Sequence, residues 1–271
     1  MEKEYSVRLF NRIGRRIELT DAGKLLQMEA QKILEQVALT ERGLQELNNL
    51  QRGELRLGSS LTIGNYWLPD KISQFKLEYP GITVHCTLAN AEEICEGTAS
   101  GFFDLGLVTG EVKTALQSVL DHTVVGSDRL QIVVGRSHPW YERQSVHLNE
   151  LTTTSWVMRE SGSGTQQVFE RALQQWGILP SALNVILVLT SSEMVKAVVE
   201  SGVGATAISR MMIQKELQLD TLRFVNVISG SNGTTSFLEA AQSILMLKHR
   251  QRFQTRPAIA FAELLNAAIS I

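Results

Sequence analysis

The stretch that decides the fold is Leu-Arg-Leu-Gly-Ser-Ser-Leu-Thr at residues 55–62, a short apolar strand that runs into small hydroxyl residues. From Glu54 onward, runs with the period of a strand alternate with runs with the period of a helix. We predict strands or extended segments at 55–58, 82–88, 104–108, 130–135, 156–158, 185–189, 205–208 and 243–247, and helices at 66–78, 91–100, 166–176, 193–201 and 257–268. This alternation is typical of an α/β fold with largely parallel sheets.

A long helix is predicted over residues 20–52, ahead of the alternating region. Thr20 can cap its first turn, and an apolar seam then repeats in alternating steps of four and three. Two helices coil together at this spacing. We predict that the strong seam residues form a dimer contact; these are Leu26, Ile33, Val37, Leu44 and Leu47. Packing of the helix on its own domain is the alternative.

A basic hairpin is predicted at the start of the chain. Two short strands, 9–12 and 15–20, are joined at Ile13-Gly14. The segment between Val7 and Ile17 contains four arginines and no acidic residue, so it can meet DNA phosphates although the net charge of the chain is −2. The DNA-binding candidates are Arg8, Arg12, Arg15 and Arg16. A hairpin that is merely solvated is the alternative.

Three predicted strand-to-helix turns are rich in small hydroxyl residues. They are Ser59-Ser60-Leu61-Thr62, Ser161-Gly162-Ser163-Gly164-Thr165 and Thr190-Ser191-Ser192. Each would place free backbone N–H groups and hydroxyls at a helix N-terminus, where the helix dipole adds positive potential. In open α/β sheets such turns meet at the carboxyl ends of the strands. The pattern predicts a site for an anion without any fixed positive charge, with ordinary N-capping as the alternative for a single turn.

Other kinds of site find little support in the sequence. Cys86 and Cys95 form neither a metal pair nor a disulfide framework, and the five histidines lack metal-ligand spacing. The string at 202–207 resembles a dinucleotide fingerprint, but it follows a helix and precedes a strand, the reverse of the required order. Paired catalytic carboxylates and a nucleophile–base pair are also missing. We therefore predict no catalytic residue, no metal and no cofactor.

The sequence also bears on localisation. No apolar run approaches the roughly 20 residues that span a bilayer, and the N-terminus is charged from residue 2 without an apolar signal core. The two unpaired cysteines suit a reducing compartment. We therefore expect a cytoplasmic protein without membrane contact.

These motifs, in this order and spacing, resemble LysR-type transcriptional regulators, closest to the branch of the family concerned with sulfur and carbon assimilation. The motifs that carry the resemblance are the hairpin region 1–23, Gly58-Ser59-Ser60-Leu61-Thr62, Asp104-Leu105-Gly106-Leu107, the turn 159–165 and Ser201-Gly202-Val203-Gly204. The resemblance covers residues 1 to about 265. It implies four parts, namely a partial winged helix-turn-helix at 1–19, a linker helix at 20–52, and a periplasmic-binding-protein-like effector domain of two subdomains, 54–126 plus 248–271 and 127–247. Two strands that cross between the subdomains near Gly126 and Lys248 are expected to form the hinge.

The resemblance also implies a function. A small effector, expected to be an anion, would bind between the subdomains, and the linker helices would pass the change to DNA-binding heads of a homodimer or homotetramer. The implied effector-binding hydroxyls are those of Ser60, Thr62, Thr109, Ser161 and Thr165. Ile63 stands where some relatives carry a polar ligand-binding residue, which is a departure from the family pattern.

The start of the chain sets a further expectation. Met1-Glu2 stand where the recognition helix of the family ends, so the helices that enter the DNA groove are expected upstream of Met1. We therefore predict that this chain by itself binds operator DNA poorly or not at all. Two other classes remain open. A solute-binding protein fits the fold but not the hairpin or the seam, and an enzyme on this fold would need catalytic groups that the sequence does not indicate.

Overall fold

The computed structural model describes residues 1–13, 16–46, 52–229, 236–237 and 240–267. The helices are α1 (Glu2–Tyr5), α2 (Asp21–Glu46), α3 (Leu61–Tyr66), α4 (Leu68–Glu78), α5 (Ala91–Ser100), α6 (Gly164–Gln175), α7 (Ser192–Glu200), α8 (Gln214–Gln218) and α9 (Arg256–Ala267). The strands are β1 (Phe10–Ile13), β2 (Arg16–Leu19), β3 (Gly53–Ser60), β4 (Ile82–Ala89), β5 (Leu105–Val108), β6 (Leu120–Gly135), β7 (Ser145–His147), β8 (Ser155–Arg159), β9 (Asn184–Leu189), β10 (Ala205–Ser209), β11 (Leu222–Phe224), β12 (Asn226–Ser229), β13 (Ser236–Phe237) and β14 (Ala240–His249). None of the described helices is both long and apolar enough to cross a bilayer.

The two strands of the basic hairpin form as predicted and fix the start of α2, while Gly14 of the predicted turn lies outside the described residues. Its strands β1 and β2 pair antiparallel, with Phe10 opposite Leu19. The hydroxyl of Thr20 accepts a hydrogen bond from the Gly23 N–H at 3.0 Å, which is the predicted helix cap. A Cβ at Gly23 would lie 2.1 Å from the backbone oxygen of Leu9, so glycine is needed where the helix meets the hairpin.

The α2 helix leaves apolar side chains uncovered. Its 26 residues give a length of about 39 Å. Of the predicted seam, Ile33 is 65% exposed, Val37 is 51% exposed and Leu26 is partly buried. Leu47 and the side chain of Leu44 lie outside the described residues. Ile33 and Val37 are thus not covered by their own domain, which is what a contact with a second chain requires, and the seam stays a prediction.

One large sheet follows α2, and nine of the described strands belong to it. Its order is β4-β3-β5-β14-β6-β10-β8-β9, with β11 added to β6. Strand β3 pairs in parallel with β4 and β5, and β8 pairs in parallel with β9 and β10. The predicted parallel pairing therefore holds on both sides of the sheet. The centre is antiparallel, because the long strands β6 and β14 cross the middle and pair with each other.

The buried cores divide the sheet into two lobes along β6 and β14. One core contains Val125 and Ile244, and another contains Leu130 and Ala240. We call residues 53–125 with 244–267 lobe I, and residues 130–229 lobe II. The register of β6 against β14 shifts between Ile244 and Leu245, opposite Gly126. The irregularity coincides with the first predicted crossing point and lies a few residues before the second, at Lys248; the subdomain boundaries themselves stay a prediction.

The helix predicted at 66–78 corresponds to α4, and a short helix that was not predicted, α3, precedes it and matters for the site. Helix α3 begins directly after β3 and ends at Tyr66, and α4 begins at Leu68. Pro69 occupies the first turn of α4, where its missing N–H removes no helical hydrogen bond. The short helix α3 therefore stands at the carboxyl end of β3, facing lobe II.

Candidate anion-binding site

A closed pocket lies between the lobes, where several strands of the sheet end. Lobe I lines it with Ser60, Thr62 and Thr109, and lobe II lines it with Arg159 and Thr165. Its free volume is only about 10 Å³, which is no more than a single water molecule needs. The lobes are therefore closed on each other.

Lobe I contributes three buried hydroxyls. Ser60 ends β3, Thr62 lies in the first turn of α3, and Thr109 follows β5, the parallel neighbour of β3. They are exposed by 7%, 3% and 2%, respectively. The Ser60 Oγ has no hydrogen-bond partner among the described residues, whereas a buried hydroxyl normally has one. A ligand oxygen in the pocket would supply that partner.

The Gly-Ser-Gly-Thr turn of lobe II closes the pocket from the other side. Ser163 caps α6, since its hydroxyl accepts a hydrogen bond from the Gln166 N–H at 3.4 Å. Thr165 is 7% exposed. A Cβ at Gly164 would lie 2.0 Å from the backbone oxygen of Thr109. The glycine in this turn is therefore what allows the two lobes to meet so closely.

Ser161 lies apart from the other predicted hydroxyls. The structure brings the other four together, but Ser161 is exposed and does not line the pocket. Ser163, two positions later, is 3% exposed and does line it. One signal in the sequence separates the two serines, because Ser163 directly precedes the helix and so stands at its N-cap. The ligand roles of all five residues stay predictions.

A buried cation at the pocket corrects the expectation of a site without fixed charge. Arg159 ends β8 and is 8% exposed. Its Nε and Nη2 donate to the Glu160 carboxylate at 2.7 and 2.8 Å, and its Nη1 donates to the Ser192 hydroxyl. Sequence reasoning missed Arg159 because the side-chain direction of a strand residue depends on the strand's register. Its position directly before the glycine-serine turn was the available signal.

The Glu160 carboxylate offsets the charge of Arg159 in this closed state. Removing a guanidinium group from water costs several kcal/mol, and a bidentate carboxylate recovers much of that cost. Arg159 remains a planar set of donors beside a cluster of hydroxyls. Oxygens of a carboxylate or phosphate group bind to such a set.

Direct contacts bridge the cleft on both sides of the pocket. On one side, the Thr62 Oγ1 lies 3.5 Å from the Ser192 Oγ. On the other side, the Glu111 N–H donates to the Gln167 Oε1 at 3.3 Å, and the Glu111 carboxylate lies 2.6 Å from the Arg171 guanidinium. These contacts must break before a ligand larger than water can enter.

The basic hairpin presents arginines on its surface. Arg8, Arg12 and Arg16 are exposed, and Arg8 and Arg12 share one concave surface with Phe10. Arg15 lies outside the described residues. Exposed guanidinium groups suit contact with phosphates, which positions a protein on DNA without reading its sequence.

The chain's titratable side chains form no metal centre in the described ranges, where no three His, Cys, Asp or Glu residues cluster. Cys86 and Cys95 are free thiols. Burial, with the nearby carboxylates of Glu92 and Glu96, raises the pKa of Cys95 to about 11. That thiol is therefore neutral at ordinary pH.

Comparison of the sequence with known proteins gives consistent matches. Residues 48–270 match the family model described as LysR substrate binding domain. A probable RuBisCO transcriptional regulator of Chlorokybus atmophyticus is 35% identical over 227 residues, which are 84% of this chain and 72% of that protein. A probable RuBisCO transcriptional regulator of Synechocystis sp. is 31% identical over 261 residues, which are 96% of this chain and 73% of that protein.

Comparison with solved structures agrees on the fold. The regulatory domain of CcmR from Synechocystis PCC6803, in complex with 2-PG, has a TM-score of 0.67 at 21% identity and covers 79% of this chain and 96% of its own. Full-length CbnR, complexed with its target DNA, has a TM-score of 0.68 at 18% identity and covers 98% of this chain and 86% of its own. At these identities the likeness concerns the fold alone.

Proposed function

Because the chain belongs to the LysR family of transcriptional regulators, we propose that a small organic anion binds between its two lobes and governs its action on DNA. The chain is a regulator with an effector-binding domain and not an enzyme. LysR regulators bind DNA and small effectors, and they work as oligomers. Since DNA is its target, we further propose the bacterial cytoplasm, or an equivalent DNA-containing compartment, as its location.

The observation that carries the proposal is the pairing of Arg159 with an unsatisfied hydroxyl in one closed pocket. Arg159 supplies a buried guanidinium, whose charge the Glu160 carboxylate offsets in the closed state, and the Ser60 Oγ lacks a hydrogen-bond partner among the described residues. Thr62, Thr109 and Thr165 add further hydroxyls around the same space. Charge-assisted hydrogen bonds to arginine are about twice as strong as neutral ones, so this set favours an anion over a neutral solute.

A carboxylate that also carries phosphate or several hydroxyls fits this donor set best. Two solved structures of similar fold contain ligands of that kind: the CcmR regulatory domain in complex with 2-PG, and the effector binding domain of QuiR in complex with shikimate. Arg159 would bind the most negative group and the hydroxyls would bind the remaining oxygens. We therefore take 2-phosphoglycolate, the 2-PG of the CcmR complex, as the first compound to test.

Control of DNA binding would follow from how far the lobes are closed. A ligand shifts an equilibrium only when it binds the two states with different affinity. In the closed state the pocket has no room for an organic anion, so the lobes must lie further apart when the ligand is bound. The size of the ligand sets how far apart they lie. The α2 helix would carry this difference to the hairpin, and its exposed Ile33 and Val37 support contact with a second chain.

The test is a calorimetric titration of the intact chain with 2-phosphoglycolate and with shikimate. We expect one of them to bind, and we expect Arg159→Met to weaken that binding by about 100-fold, since a buried charged hydrogen bond contributes about 3 kcal/mol. Arg143→Met is the matched control, because Arg143 makes a similar bidentate contact with the Glu150 carboxylate on the surface of lobe II. Equal binding by wild type and Arg159→Met would refute the proposal.

A further inference from the structure

Helices α3 and α7 face each other across the cleft through two pairs of side chains. Thr62 and Tyr66 lie four residues apart on α3, and Ser192 and Lys196 lie four residues apart on α7. Residues at this spacing share one face of a helix. The first pair, Thr62 and Ser192, belongs to the pocket and lies 3.5 Å apart. The second pair lies one turn further out, beyond the lining of the pocket.

The second pair is tied together by charged hydrogen bonds. The Lys196 Nζ donates to the Tyr66 hydroxyl at 3.1 Å, and that hydroxyl in turn donates to the Glu193 carboxylate. The ammonium also lies 5.5 Å from the centre of the Tyr66 ring. Tyr66 thus contributes both a polar and a cation–π contact to lobe II.

Three groups of lobe II also hold Lys196 in place. Its Nζ lies 3.0 Å from Glu193 and 2.9 Å from Glu216, and it donates to the Met212 backbone oxygen at 3.4 Å. The Lys196 side chain is only 13% exposed. Burial by itself would lower the pKa of Lys196, but hydrogen bonds to Glu216, Tyr66 and Glu193 hold that pKa above its ordinary value. The receptor for Tyr66 is therefore prebuilt and charged.

We propose that Tyr66 and Lys196 form a latch that sets the free energy of lobe closure, and thereby the affinity of the cleft for its effector, without touching the effector. The proposal rests on the proposed function, in which the effector binds between the lobes. Opening breaks the bonds of Tyr66 but leaves Lys196 paired with Glu193 and Glu216. Tyr66 is accordingly a positioning residue, and its hydroxyl is one of the lobe I groups that opening releases, together with Thr62 and Glu111.

The direction of the effect on affinity follows from the closed pocket. The closed state leaves about 10 Å³ of free volume, so it excludes the effector and competes with binding. A latch that stabilises this state lowers the apparent affinity, because only the open fraction of molecules can bind. Tyr66→Phe removes both hydrogen bonds and keeps the ring, and we expect apparent affinity for 2-phosphoglycolate to rise about tenfold.

The experiment has two readouts on the intact chain. Hydrogen exchange of residues 61–66 in the ligand-free protein measures opening, and calorimetric titration with 2-phosphoglycolate measures affinity. Tyr141→Phe is the matched control, since its hydroxyl donates to the Asp220 backbone oxygen inside lobe II and does not cross the cleft. We expect faster exchange and tighter binding in Tyr66→Phe, with neither change in Tyr141→Phe.

The outcomes separate the latch from the proposed function. Unchanged exchange in Tyr66→Phe overturns the latch, and so does faster exchange with unchanged or weaker binding. If neither wild type nor Tyr66→Phe binds 2-phosphoglycolate or shikimate, the proposed function fails. Binding that appears only in Tyr66→Phe supports both the latch and the proposed function, because the closed state then hides the site in wild type. Binding that is absent from both proteins overturns the link between latch and affinity.

Discussion

The guanidinium of Arg159, at the end of β8, donates a hydrogen bond to the hydroxyl of Ser192 at the start of α7. These residues are 33 positions apart, and both are at least nine-tenths buried. Ser192 in turn lies 3.5 Å from Thr62 of the opposite lobe. The buried charge of the pocket is thus connected through one hydroxyl to the contact that closes the cleft.

Removing the hydroxyl of Ser60 should separate a ligand-binding role from a structural one. We expect Ser60→Ala to weaken binding of the effector about tenfold. The free energy of unfolding of the ligand-free protein should stay equal or rise, because the substitution removes an unsatisfied buried hydroxyl. Titration calorimetry and chemical denaturation measure the two quantities. Ser209→Ala is the control, since the Ser209 Oγ is also buried without a partner in the described part of the chain but does not line the pocket. A loss of unfolding free energy in Ser60→Ala without a change in affinity would assign Ser60 to the fold.

Adding a methyl group at Gly164 should hold the lobes apart. The Cβ of Gly164→Ala would lie 2.0 Å from the Thr109 backbone oxygen, so the closed arrangement cannot persist. We expect a larger radius of gyration by small-angle X-ray scattering of the ligand-free protein. Gln174→Ala changes an exposed position of the same helix and should leave the radius unchanged. An unchanged radius in both variants would show that the closed cleft is not the state in solution.

A charge on the exposed face of α2 should impair assembly. Ile33 is 65% exposed, and covering such a side chain in a second chain contributes about 1.5–3 kcal/mol. We expect Ile33→Glu to shift the chain toward monomer in sedimentation velocity. Gln27→Glu, at an exposed position outside the seam, adds the same charge and should not shift it. Identical sedimentation of the two variants would remove Ile33 from the dimer contact.

The two cysteines should react with thiol reagents at very different rates. Cys86 is exposed, although partial burial of its thiol raises its pKa; Cys95 is buried, and its pKa is raised to about 11. The thiolate is the reactive form, and about 0.1% of Cys95 would be thiolate at pH 8. We expect one fast reaction per chain with a chromogenic disulfide at pH 8, with the slow reaction accelerating as the pH rises toward 11. Two equally fast reactions in wild type would contradict this assignment. A fast reaction that persists in Cys86→Ser would contradict it as well.

Local patterns predicted most of the fold, and contacts between distant residues account for what they missed. Thr20 caps α2 and the hairpin forms because both depend on neighbours in the sequence. The short helix α3 was missed because its sequence, Leu61–Tyr66, contains threonine, isoleucine, glycine and asparagine, which have low helix propensity. The antiparallel centre of the sheet was missed because the return strand β14 pairs with β6, more than 100 positions earlier.

In the candidate site, too, features that depend on local sequence were predicted, and features that depend on contacts between distant residues were missed. Hydroxyls at the turns after β3 and β8 were predicted, since a strand followed by small residues and a helix is a local signal. The charge of Arg159 at the pocket and the contact between Tyr66 and Lys196 were not. Tyr66 and Lys196 are 130 positions apart, and only the packing of the two lobes brings them together.

The central claim is that an anion binds between the lobes on Arg159, and the most direct measurement is a crystal structure of the chain with 2-phosphoglycolate. We predict electron density for the anion between the lobes, with its oxygens about 2.7–3.2 Å from the Arg159 guanidinium and the Ser60 Oγ, and with the cleft wider than in the closed state. Density for the anion elsewhere, such as the separate cavity of about 290 Å³ beside Phe169 and Trp176, with the cleft still closed, would contradict the claim.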